Sequence, residues 1–82
     1  MNVHVKHDEA SAVLVRRHNR DEMASAYFSL SQTQRRLAHR YKREALEWEA
    51  RGHMANWADC KLECRRLWGS AKFNLLQARN VR

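Results

Sequence analysis

Proline is absent from all 82 positions, and glycine occurs only twice, at Gly52 and Gly69. A β-sandwich or barrel must turn many times and draws on both residues to do so, which excludes that class. Long uninterrupted helices are expected instead from a chain rich in Ala, Leu, Arg, Glu and Gln. Cysteine is just as scarce: Cys60 and Cys64 are too few and too close for a disulfide framework. No apolar run is long enough for a signal peptide or a membrane span, so a cytoplasmic protein with no membrane partner is expected. Acid is the minority charge. Nine Asp and Glu face sixteen Lys and Arg, a formal net charge of +7, so acidic partners are attracted at low salt.

Catalytic signatures are also missing. Ser25, Ser29, Ser31 and Ser70 have no nucleophile-elbow context, and Glu44, Glu47 and Glu49 read as helix-surface partners of Arg40, Lys42, Arg43 and Arg51. The chain is therefore expected not to be an enzyme and to need no cofactor. Cys60 and Cys64 lie one helical turn apart, a spacing at which two thiolates can share a metal with His53. They read more simply as small seam residues, and no metal site is expected. His4 and His7 near the start read as solvated.

What is present is helical periodicity. Residues 1–18 read as an arm or a short helix over Glu9–Arg17 capped by Asp8, with the alternation of Val3, Val5, Val13 and Val15 leaving a β-ribbon as the other reading. "NRDE" at Asn19–Glu22 has capping-box spacing and predicts a helix start, followed by one long helix over 20–51. Met23, Tyr27, Leu30, Gln34, Leu37, Tyr41, Glu44 and Trp48 then follow at alternating steps of four and three, the spacing of a stripe that faces a partner helix. "SQTQ" at Ser31–Gln34 offers an alternative break. Gly52 is the natural stop. A second long helix over 55–79 carries Trp57, Cys60, Cys64, Leu67, Trp68, Leu75 and Ala78 on one side, with Gly69 as a bend or a close helix contact.

So short a connection folds the two helices back as an antiparallel hairpin. An all-α domain over 1–82 follows, dimerising into a helical bundle because two helices alone bury little. Its core and dimer seam are expected to use Leu30, Leu37, Tyr41, Trp48, Trp57, Cys60, Cys64, Leu67, Trp68 and Leu75.

"RRLAHRYKREAL" at Arg35–Leu46 concentrates five certain positive charges and a histidine. With Leu37, Tyr41 and Ala45 inward, Arg36, Arg40 and Arg43 form one basic stripe and Arg35, His39 and Lys42 another. Charge runs are often only the solvated side of a helix. Here no acid intervenes from Arg35 to Arg43 to pair the charges, so these residues, with Arg65 and Arg66, are the expected partner-binding surface. Twelve of the sixteen bases are arginine, which favours bidentate contact with carboxylate or phosphate.

Three short pieces carry a family resemblance: "EARGHM" with Glu49, Gly52 and Met54, "WADCKLEC" with Trp57, Cys60 and Cys64, and "NLLQA" with Asn74 and Ala78. In these, covering about the C-terminal half, the chain resembles the ANR family of small bacterial and phage regulators and the related PerC-type activators. The resemblance implies a small helical, non-catalytic modulator of transcription that binds a regulator such as an AraC-type activator, or a nucleoid protein. From the residues themselves, direct nucleic-acid binding is the alternative, ranked second because no helix-turn-helix or zinc-finger spacing accompanies the charge. A phage-encoded inhibitor of a host protein is the remaining reading.

Overall fold

The computed structural model describes residues 2–81, with side chains from residue 18 onward. It contains two helices, α1 (Asn2–Ala50) and α2 (Met54–Val81), joined by a turn at residues 51–53 and packed antiparallel along a rod 75 × 14 × 13 Å. The all-α hairpin expected from the sequence is the fold observed.

Gly52 makes the reversal. Its φ of 77° is the left-handed conformation open to glycine. The His53 amide donates to the Trp48 carbonyl and the Gly52 amide to the Glu49 carbonyl, both at 3.0 Å, which is the Schellman pattern. The accompanying side-chain contact is present, with the His53 ring edge-on to Trp48 at 5.5 Å. The Trp57 amide then donates to the His53 carbonyl, so the residue that closes α1 also opens α2.

The expected helix start is not there, and the alternative break is not taken. α1 runs unbroken through Asn19–Glu22 and through Ser31–Gln34, and it takes in most of the segment read as a separate arm or short helix. Capping residues permit a start without forcing one, and no proline or glycine interrupts the chain before Gly52. The readings of Val3, His4, Val5, His7, Val13 and Val15 concern side chains that lie outside the described ones.

The seam is narrower and smaller than the sequence pattern implies. On α1 the buried residues are Ala24, Ser31, Ala38 and Ala45, one every seven; on α2 they are Cys60, Leu67, Ala71, Asn74 and Ala78. Strict seven-residue recurrence is the signature of a helix pair packed along one seam, and small side chains let the two backbones approach closely. Two hydrogen bonds cross it: Ser31 Oγ donates to the Ala71 carbonyl and Asn74 Nδ2 to Gln34 Oε1, each at 2.7 Å. Among the described residues no buried side-chain polar atom lacks a partner. Gly69 makes no close helix contact. It is exposed, and nothing lies within 4 Å of where its Cβ would stand.

Candidate binding groove

The long stripe read from α1 does not form the centre of the seam. It is rotated by a fraction of a turn, so that Tyr27, Gln34, Tyr41 and Trp48 are half-buried at its edge. Met23, Leu30 and Leu37 stand outside, 48%, 46% and 38% exposed. Of the other expected core residues, Cys60 and Leu67 are buried, while Trp57, Cys64, Trp68 and Leu75 are half-buried. Leu30 and Leu37 are therefore not core residues of the hairpin itself. Their place is taken by Ala24, Ser31, Ala38 and Ala45, because alanine at a seven-residue step brings the helices closer than leucine would allow.

A hairpin of two helices has two long grooves, one on each side of its seam. In the first, Arg35 from α1 lies over the Trp68 ring of α2 with its guanidinium carbon 5.9 Å from the ring centroid, a cation–π geometry. His39 meets the same ring edge-on at 5.2 Å. Ser31, Gln32, Lys72 and Leu75 line the hollow beside that cluster, and Phe28, Leu75 and Arg79 line the next one along. Residues seven apart share a helix face, which adds Lys42 to the α1 wall and Lys61 and Arg65 to the α2 wall. None of Arg35, Lys42, Lys61, Arg65, Lys72 or Arg79 has an ion-pair partner among the described residues.

The second groove is different in kind. Met23, Ala26, Tyr27 and Leu30 of α1 line an apolar hollow, and Leu37, Arg40, Tyr41 and Glu44 line a more polar one further along the same helix. Its flanking cations are neutralised within the chain. Arg40 Nε donates to Glu44 Oε1 at 3.3 Å, and Arg66 Nη2 donates to Glu63 Oε2 at 2.7 Å. The Arg66 hydrogen bond holds the Glu63 carboxyl below the usual carboxylate range, and Glu63 in turn holds the Arg66 guanidinium up. Burial, with Glu44 and Asp59 adding to it, pushes the Cys60 thiol up and keeps it in its neutral, unreactive form. No set of three metal-ligating side chains occurs among the described residues, and no helix there is long and apolar enough to cross a membrane.

The eight expected binding residues are thus divided. Arg35, His39, Lys42 and Arg65 share the unpaired groove, Arg36 and Arg43 point from the outer side of α1, and Arg40 and Arg66 are ion-paired beside the apolar groove. Sequence reasoning missed Lys61, Lys72 and Arg79, which lie on α2 and join the site only once the hairpin aligns them with Arg35. It also missed a lengthwise segregation of charge. Residues 23–43 and 64–81, which pair with each other, hold nine Lys and Arg and no acid, whereas the turn end at residues 44–63 holds five acids and two bases. No protein-family model, curated protein or solved structure matches the chain.

Proposed function

We propose that the protein is a non-catalytic regulator that pairs with a second copy into a helical bundle and binds an acidic protein through its basic groove. The observation that carries the binding reading is the Arg35–Trp68–His39 cluster within an acid-free row of cations. Arginine and tryptophan held together in a partly covered hollow are the residues that dominate protein interfaces, and the surrounding unpaired charges steer a partner of opposite sign. The resemblance of "EARGHM", "WADCKLEC" and "NLLQA" to the ANR and PerC-like regulators agrees with this reading and suggests a transcriptional regulator or nucleoid protein as the partner.

A second reading, direct binding of nucleic acid, is favoured by one observation. The cations of the groove run from Arg35 and Arg79 to Lys42 and Lys61, a continuous basic track of the sort that follows a phosphate backbone. The two readings separate by capture from bacterial lysate with and without nuclease. A discrete acidic protein retained after nuclease treatment is the expected result. Recovery of nucleic acid alone, lost at moderate salt, would transfer the site to the second reading.

A further inference from the structure

We infer that the second copy docks antiparallel on α1 through the stripe Tyr27–Leu30–Gln34–Leu37–Tyr41, with a twofold axis passing beside Gln34. This rests on the proposal that hairpins pair, and it specifies the surface. Two observations select both the face and the occupant.

The order of residues in the stripe reads the same in both directions, Tyr, Leu, Gln, Leu, Tyr, with the tyrosines seven residues either side of Gln34 and the leucines four before and three after it. An isologous interface needs this self-complementarity, because a twofold axis sets each residue against its mirror position on the other copy. About an axis at Gln34, Tyr27 meets the partner's Tyr41, the two glutamines meet each other, and Leu30 comes within one residue, about 1.5 Å of helix rise, of facing the partner's Leu37. Gln34 already accepts from Asn74 through Oε1, which leaves its amide N–H groups to donate across the axis. An unrelated protein partner gives no reason for such a palindrome.

The surroundings of the stripe agree. Among the described residues only Leu67 is a large aliphatic side chain in the buried set, while Met23, Leu30 and Leu37 stand in the open on one edge of α1. The cations bordering this face, Arg40 and Arg66, are already paired to Glu44 and Glu63, so two copies meet here with their flanking charge neutralised. Docking on the opposite groove would instead bring the unpaired Arg35, Lys72 and Arg79 of both copies together.

Sedimentation over a concentration series, with helicity followed by circular dichroism, tests the pairing. Disulfide trapping tests the face. The parent should sediment at twice 9.8 kDa. Leu30→Glu with Leu37→Glu should raise the dimer dissociation constant by roughly 100-fold or more, since it sets carboxylates against each other across the axis. Gln34→Cys should form an intermolecular disulfide on mild oxidation, whereas Ser29→Cys on the outer side of α1 should not, and the trapped species reports the face even where the double glutamate variant fails to fold. A folded parent that stays monomeric overturns the pairing itself. A dimeric parent in which Ser29→Cys crosslinks and Gln34→Cys does not overturns the interface and leaves the pairing standing.

Discussion

Ser31 Oγ donates to the Ala71 carbonyl at 2.7 Å, and three residues further along each helix Asn74 Nδ2 donates to Gln34 Oε1 at the same distance. An alanine-lined seam has little shape to set its register, since one alanine packs much like the next. These polar pairs supply that specification, as a single polar residue does in a coiled coil. Replacing Asn74 by Ala should cost about 0.5–1.5 kcal/mol, as should Gln34→Ala, and the double variant should lose less than their sum. Strict additivity in chemical denaturation would show that the two amides do not act as a pair.

The two glycines should respond with opposite signs. At Gly52 φ is 77°, and although a Cβ there would meet no atom within 4 Å, the left-handed conformation costs an L-residue about 1–2 kcal/mol. Gly52→Ala should therefore destabilise the hairpin by that amount. Gly69 lies within α2, also with open space around its Cβ position, so Gly69→Ala should stabilise by roughly 1 kcal/mol through helix propensity. Thermal melts of the two variants decide it, and a loss of stability in Gly69→Ala would mean that this exposed position requires glycine.

Much of this architecture is legible in the sequence, and the illegible part has a physical cause. Gly52 and the helical periodicity suffice for two helices and a reversal. The seam is misplaced because apolar strength is the usual guide to burial, and the leucines at 30 and 37 outweigh the serine at 31 and the alanine at 38 on any hydropathy scale. Backbone proximity decided otherwise: Ala38 is 0% exposed, and Leu37 next to it is 38% exposed. The basic groove was half legible for a related reason. Arg35, His39 and Lys42 form a visible run, but Lys72 and Arg79 become their neighbours only through the antiparallel alignment. A direct check is Ala38→Leu, which should force the seam apart at a cost of about 1–3 kcal/mol, against Leu46→Ala at an exposed position, which should shift stability by no more than about 0.5 kcal/mol. Equal effects in denaturant titrations would contradict the alanine seam.

The Glu63–Arg66 pair predicts a small dependence on acid. The Arg66 hydrogen bond lowers the folded-state pKa of Glu63. A depressed carboxyl contributes stability that is present above its unfolded value, about 4.3, and is lost as pH falls through the lower folded value. Between neutral pH and about pH 3 the parent should lose more thermal stability than Glu63→Gln, whose side chain does not titrate. The difference should be small, because the pair is exposed. A variant that loses as much as the parent would assign the acid sensitivity to other carboxylates.

The sharpest functional test compares two pairs of cations on one helix pair. Arg35 and Lys72 line the same hollow beside Trp68, while Arg36 and Arg43 point from the outer side of α1. All four are exposed and unpaired among the described residues, so changing either pair to glutamine removes the same formal charge and leaves helix content nearly intact. If binding were only a matter of net charge, the two double variants would weaken capture of an acidic partner equally. If the groove is the site, each lost charge-assisted hydrogen bond costs roughly 1.5–3 kcal/mol, and Arg35→Gln with Lys72→Gln should reduce affinity by on the order of 100-fold or more. Arg36→Gln with Arg43→Gln should then act mainly on the association rate and its salt dependence. The reverse ordering in titration calorimetry would place the contact on the outer face of α1, and no effect of either pair would reduce "RRLAHRYKREAL" to the solvated side of a helix.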